Sequence, residues 1–355
     1  MRGIIFISLS AFMLLSFGLM MLLSIAPEKV LPQVLSAVFS LLVGWIVFRL
    51  GVKNILPFAW VAYTAVLILL GLTLVFGKIT KGSSRWLRVG GFQLQASELA
   101  KPVLLLVTIK LVENGWPANS KKQIKLLAKY IFAAMIPFGM VLIQPDLGSS
   151  LVLAAIAVWI FILSLPPKRL ILGLMILAVV LLPLSKFGLK GYQLDRLKSF
   201  IDPYSDPLGT GYHVIQSTIA VGSGGIFGRG LGYGTQGKLR FLPERQTDFI
   251  FANLVEELGL AGGVAVIGLY SVIVGVCFWG AVKSGKPEER LILSGIGTWL
   301  FFQTSVNIAM NLGIMPVTGV TLPLLSYGGS SLLSSAITLS LAFSAMKIHG
   351  FESWG

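Results

Sequence analysis

The sequence predicts an all-α integral membrane protein of about ten transmembrane helices, with both termini cytoplasmic and a large extracellular loop between helices seven and eight. Apolar residues make up 55% of the 355 residues and charged residues 12%, and mean hydropathy is +0.86, a balance that suits lipid rather than water. The apolar residues are also gathered into runs close to spanning length, at 4–26, 31–50, 56–76, 97–113, 129–144, 148–166, 169–187, 249–280, 290–312 and 329–347. Basic residues supply the third observation, because they concentrate on alternate sides of those runs.

Read with the N-terminus inside, fourteen of the 28 Lys and Arg residues fall in cytoplasmic segments, six in short outer segments and eight in the long outer loop 186–248. The +14 net charge is thereby accounted for by topology, and no nucleic-acid partner is implied. The first run is too long for a signal-peptide core and reads as a retained helix. The single Cys277 lies inside an apolar run and has no intrachain partner. With no heptads, low-complexity tract or clear repeat, residues 1–355 read as one membrane domain.

Function is sought where polar groups stand at membrane depth, since burying a charge in hydrocarbon is costly. After the third run come Lys81-Gly82-Ser83-Ser84-Arg85-Trp86 and then Gln95-Ala96-Ser97-Glu98-Leu99-Ala100-Lys101. Glu98 and Lys101 share a helix face, either as an intrahelical ion pair with Ser97 as N-cap, or with Lys101 or Arg85 meeting an anionic ligand. Gln144-Pro145-Asp146-Leu147-Gly148-Ser149-Ser150 is either a tight outer turn with Asp146 capping the next helix or a broken-helix site. The uncharged stretch Pro316 to Ser331, which includes Ser326 and Ser330, has the Gly and Pro density of irregular backbone that must be buried or line water.

The long loop concentrates glycine, ten between Gly209 and Gly237, and Lys190, Arg196, Lys198, Arg229, Lys238, Arg240 and Arg245 bracket them. Plain flexibility is one reading; backbone amides with cations around a pyrophosphate is the other. Neither nucleotide-binding motif is present, so no nucleotide cofactor is expected. The loop ends in Leu242-Pro243-Glu244-Arg245-Gln246-Thr247-Asp248-Phe249, which puts Asp248 at the outer mouth of the eighth helix. Thr247 or Asp248 could cap that helix, and Asp248 could equally accept a proton or bind a cation. Glu256 and Glu257 lie two turns deeper and need an interior partner.

The Lys-Gly-Ser-Ser-Arg-Trp and Ser-Glu-Leu-Ala-Lys stretches, Gln144 to Ser150, Arg196 through Gln236, Leu242 to Ala252 and Pro316 to Ser331 together resemble the SEDS family (shape, elongation, division and sporulation) over nearly the full length. Within it the chain is most similar to the RodA-like members. Arg245 stands where FtsW-like chains tend to have Ala, Leu147 stands where they often have Phe, and both tails are short. Two positions depart from the usual pattern, Gln246 in place of His and His213 in place of Gln, so a mechanism needing an imidazole beside Asp248 is not expected.

The resemblance implies ten helices in the plasma membrane and peptidoglycan glycosyltransferase activity on lipid II, serving cell elongation and rod shape. Asp248 is then the catalytic candidate, as general base toward the acceptor 4-hydroxyl or as holder of a divalent cation, Mg²⁺ or Mn²⁺. Arg85, Glu98, Lys101, Asp146, Arg196, Lys238, Arg240, Glu244, Thr247, Ser326 and Ser330 are the substrate-binding candidates, the cations among them opposing the pyrophosphate. The implied partner is a class B penicillin-binding protein, met through helices eight and nine and part of the long loop. The competing reading is a lipid II flippase; it fits the span count, but alternating access needs an inner polar gate, and the suspect groups lie in the outer half.

Overall fold

Nine of the ten apolar runs are helices in the computed structural model, which describes residues 2–80, 83–89, 92–165, 196, 199–209, 211–239 and 241–348; the seventh run, 169–187, lies outside the described residues. In chain order the helices are α1 (Arg2–Ile25), α2 (Val30–Ile55), α3 (Ala59–Phe76), α4 (Ala96–Val112), α5 (Ser120–Ile143), α6 (Leu147–Ser164), α7 (Tyr212–Ser223), α8 (Thr235–Lys238), α9 (Ile250–Lys283), α10 (Pro287–Asn311) and α11 (Gly329–Ile348). Helices α7 and α8 belong to the long loop.

The helices sort by what surrounds them. Phe12, Leu31, Val61 and Val75 on α1 to α3 are among many exposed large apolar residues, as lipid-facing helices require. Helices α4, α10 and α11 are buried, and small hydroxyl residues on α11 allow close approach: Gly44 of α2 lies against Ala336 and Ser340.

One element departs from the all-helical expectation. Residues 78–94 hold a small antiparallel sheet of β1 (Lys78–Thr80), β2 (Ser83–Val89) and β3 (Phe92–Leu94), in the order β1-β2-β3. Lys78 pairs with Trp86, and Leu87 with Leu94. The segment is too polar to enter lipid and too short for another span, so it satisfies its main chain by folding back on itself.

Inside the bundle the helices are broken at four places, and each break is repaired by a group from another element. Pro102 has no N–H to give the Glu98 carbonyl, and the Ser334 hydroxyl of α11 donates to that carbonyl at 2.8 Å. Pro137 likewise strands the Ala133 carbonyl of α5, which accepts from the Tyr63 hydroxyl of α3 at 3.0 Å. Gly51 interrupts α2 with φ 75°, and the Val52 N–H finds Ser344 Oγ at 3.1 Å.

The fourth break organises the long loop. A straight α9 of 34 residues would measure about 51 Å, well beyond a hydrocarbon core of about 30 Å. It breaks at Gly259 (φ 71°, ψ −170°), where Leu260 and Ala261 no longer donate to the carbonyls of Glu256 and Glu257. The glycine-rich loop fills the gap. Arg229 and Gly230 N–H donate to those two carbonyls at 3.0 Å each, and Leu260 and Ala261 N–H donate to the carbonyls of Gly225 and Ile226 at 2.9 and 3.1 Å. A Cβ on Gly259 would stand 2.3 Å from both Gly228 N and the Ile226 carbonyl oxygen, so only glycine admits this approach.

The carboxylates next to the break complete the lock. Glu256 accepts from the N–H groups of Thr235, Gln236 and Gly237, and Glu257 accepts from Gly232 N–H at 3.1 Å and Ser24 Oγ at 2.6 Å. The interior partners required by these buried acids are therefore main-chain amides of the loop. Those four amides are committed to protein carboxylates rather than presented to a pyrophosphate.

Two stability outcomes follow. Tyr63→Phe leaves the Ala133 carbonyl unpaired in the bundle and should cost about 1–3 kcal/mol in detergent unfolding. Gly259→Ala should cost more, about 2–4 kcal/mol, whereas Gly268→Ala in the same helix, where a Cβ meets nothing within 4 Å, should leave the midpoint unchanged or raised.

Candidate functional site

At the end of the bundle that the charge distribution assigns to the outside, Asp248 precedes α9, whose N-cap is Phe249 with no side-chain cap bond. The capping reading of Thr247 is not realised, because its hydroxyl turns to the carbonyl and carboxylate of Glu244, each at 3.2 Å. Asp248 is only partly buried and lies beside Arg85 and Gly319. A Cβ on Gly319 would lie 3.6 Å from Asp248 Oδ2 and 3.8 Å from Arg85 Nη1.

Arg85 stands beside Asp248 from the β2 side. Its guanidinium donates to the Gln144 carbonyl at 3.2 Å and to the Pro145 carbonyl, and lies 4.0 Å from Asp146 Oδ1. Asp146 is fully buried and caps α6 by accepting from Ser149 N–H at 3.1 Å. Its other oxygen accepts from Gln95 Nε2 and Ser97 Oγ, both at 3.2 Å. Ser97 therefore serves Asp146, and the N-cap of α4 is Gln95.

The two carboxylates thus have different environments. Asp146 has its oxygens filled, while Asp248 is pushed up to about 6 from an ordinary value of 3.8. Burial is the largest cause; Arg85 pulls it down, Asp146 pushes it up, and Arg196 and the nearby Thr247 side chain pull it down. Arg196 also donates to the Val317 carbonyl at 3.0 Å, which ties the long loop to the irregular 312–328 segment.

The other candidates are placed as follows. Lys101 is fully buried; its ammonium pairs with Glu98 at 2.7 Å, donates to Gln303 Oε1 at 2.9 Å and lies over the Trp299 ring. Ser326 donates to the Thr247 carbonyl at 2.6 Å, and Ser330 joins the start of α11 to Gln95 N–H at 2.9 Å. Glu244 adopts φ 50° beside Thr247. Lys238 is exposed and donates to the Gly232 carbonyl at 3.0 Å. Arg240 lies outside the described residues. Asp248, Arg85, Asp146, Arg196 and Thr247 are thereby brought together, while Glu98 and Lys101 form a buried pair below and Lys238 stands apart.

Sequence reasoning missed Gln33, Gln303, Asn307 and Asn311. Gln33 donates to the Ser326 carbonyl at 3.1 Å and accepts from Gly328 N–H at 3.1 Å, so it spans the turn before α11. The readable signal for the others is their spacing: Trp299, Gln303, Asn307 and Asn311 recur every four residues in an apolar run.

A family model described as "Cell cycle protein" (FTSW_RODA_SPOVE) matches residues 3–349. The chain is 41% identical over 294 residues to "Peptidoglycan glycosyltransferase MrdB" of Escherichia coli K12, covering 82% of this chain and 78% of that protein. It is 35% identical over 322 residues to "Probable peptidoglycan glycosyltransferase FtsW" of Coxiella burnetii, covering 85% and 82%. A solved structure described as "Structural coordination of polymerization and crosslinking by a peptidoglycan synthase complex" superimposes with a TM-score of 0.80 at 35% identity, covering 96% of this chain and 97% of that one. The crystal structure of the Thermus thermophilus rod shape determining protein RodA gives 0.70 at 30% identity, covering 96% and 95%.

The division between the carboxylates can be measured. Asp146→Ala removes the acceptor for Ser149, Gln95 and Ser97 and should destabilise the protein by about 1–3 kcal/mol. Asp146→Asn keeps an acceptor for Ser149 but removes a charge that raises Asp248. The Asp248 carboxyl band, identified by its loss in Asp248→Asn, should then titrate below about 6 in infrared difference spectra.

Proposed function

The chain belongs to the FtsW, RodA and SpoVE family of cell cycle proteins, and on that premise we propose that it is a peptidoglycan glycosyltransferase polymerising lipid II at the outer face of the plasma membrane. The observation that carries this reading is the placement of Asp248, a partly buried carboxylate just before α9 that lies beside the Arg85 guanidinium at Gly319; burial pushes it up to about 6. The similarity to RodA-like proteins supports a role in cell elongation and maintenance of rod shape.

Asp248 takes the proton of the acceptor sugar 4-hydroxyl as that oxygen attacks the donor anomeric carbon. The bond from that carbon to the phosphate oxygen breaks, its electron pair leaves with undecaprenyl pyrophosphate, and a single displacement inverts the anomeric centre. Arg85 and Arg196 oppose the charge on the leaving group. Arg85 is suited to this because its position is fixed by main-chain carbonyls and Asp146.

The fit of a divalent cation follows from the donors. Among the described residues no group of three or more His, Cys, Asp and Glu side chains could hold a metal, and Asp146 is filled, so Asp248 is the carboxylate that would hold Mg²⁺ or Mn²⁺ together with substrate phosphates. Such an ion would supply further neutralisation of pyrophosphate charge.

A class B penicillin-binding protein is the proposed partner. The support is the resemblance to a peptidoglycan synthase complex and the exposed apolar side chains of Leu260, Val264 and Phe301 on α9 and α10. Co-purification from membranes should be weakened by Leu260→Arg with Val264→Arg.

The test is incubation of purified protein with labelled lipid II, with and without that partner and divalent metal. Wild type should form long glycan strands, and Asp248→Asn should lower the rate by about 10²–10⁴-fold. If no strands form under any condition while lipid II still crosses vesicle membranes, transport replaces this reading. The base works only as the carboxylate, so activity should be lost as pH falls through about 6, and Arg85→Gln should move that limb upward, because the guanidinium lowers the Asp248 value.

A further inference from the structure

Gln303, Asn307 and Asn311 are completely buried on one stripe of α10, and their amides bind the main chain of two other segments. Gln303 accepts from Lys101 at 2.9 Å and Trp299 at 2.7 Å, and donates to the Thr321 carbonyl at 2.8 Å. One turn on, Asn307 Nδ2 donates to the Val320 carbonyl at 2.6 Å and to the Asp248 carbonyl at 3.0 Å. Another turn on, Asn311 Nδ2 donates to the same Asp248 carbonyl at 2.9 Å, while its oxygen accepts from Ala252 N–H at 3.0 Å.

We infer that Asn307 and Asn311 are positioning residues for Asp248, converging on its main-chain carbonyl so that the residue is held beside Arg85 and Gly319. This rests on the assignment of Asp248 as the base. Two donors on one carbonyl fill both its lone pairs and prevent the Asp248–Phe249 peptide from turning. Asn307 also holds the carbonyl of Val320, the residue after Gly319, so one side chain sets the distance between Asp248 and the segment that carries Gly319. Asn311 takes a first-turn N–H of α9 that has no acceptor within its own helix, which fixes the direction in which α9 leaves Asp248. Gln303 anchors the ladder from below through Lys101, giving that buried cation a role that needs no contact with substrate.

Buried amides could instead serve stability alone, and kinetics separate the two. In strand synthesis with the full-length protein and its partner, Asn307→Leu should lower kcat by about 10–100-fold with KM within about threefold of wild type. The acid limb should also fall below about 6, since burial is the main cause of the raised value and a loosened carboxylate reaches water. In an Asp248→Glu background the same substitution should cost markedly less, because the two act through one group. Equal losses in both backgrounds with an unmoved acid limb would overturn the inference. Asn307→Ser, which reaches neither carbonyl, is read by the same criteria if Asn307→Leu does not purify in folded form. An active Asp248→Asn would instead remove the base assignment, a result distinct from an Asn307 variant that behaves as wild type while Asp248→Asn is dead.

Discussion

Every main-chain N–H and C=O placed at membrane depth must find a partner inside the protein, because hydrocarbon offers none and each unpaired group costs several kcal/mol. This chain interrupts its helices at Gly51, Pro102, Pro137 and Gly259 and leaves helix altogether between Asn311 and Gly329. Each interruption therefore dictates a contact. Ser344, Ser334 and Tyr63 each supply the missing bond from a neighbouring helix, and the glycine-rich loop supplies four at Gly259. The bundle is thus joined by its own imperfections, since lipid-facing apolar surface gives helices little reason to associate.

The same constraint builds the surroundings of Asp248. The irregular segment before α11 brings Gly319 to Asp248, and its carbonyls are taken up by Gln33, Gln303, Asn307 and Arg196. The carbonyls of that segment are thereby satisfied without drawing on the Asp248 carboxylate. Asp146, a few ångströms behind Arg85, has its oxygens filled and acts on the site through its charge and its hold on the guanidinium.

Much of this was legible in the sequence, and the divide follows the range of the interaction. Apolar runs are local, so nine described helices coincide with them, and the Glu98–Lys101 pair was readable from its three-residue spacing. Asp248 stood out as a carboxylate beside a span, but the residues there left capping and proton or cation binding open, and it was the resemblance to the SEDS family that made it the catalytic candidate. The partners of Glu256 and Glu257 were not, because a carboxylate in an apolar run suggests a cation, and here the donors are amides from residues 232–237, which any sequence could supply. The strands at 78–94 were hidden by shortness, and the break at Gly259 by a helical pattern that continues on both sides of it. The amide stripe on α10 was visible as a period of four but carries no charge, so a search for charges passed over it.

That neutrality has a physical consequence. A group fixing the main chain at Asp248 must stand within a few ångströms of its carboxylate, where a unit charge acts strongly. At 5 Å and an effective dielectric of 20 the interaction is roughly 3 kcal/mol, enough to return Asp248 from about 6 to an ordinary carboxylate. Lysine or arginine at the positions of Asn307 and Asn311 would hold the carbonyl equally well and weaken the base it presents. Carboxamides supply the directional bonds without that field, which leaves the charge at the site to Arg85, Arg196 and Asp146, the groups whose charge the chemistry uses.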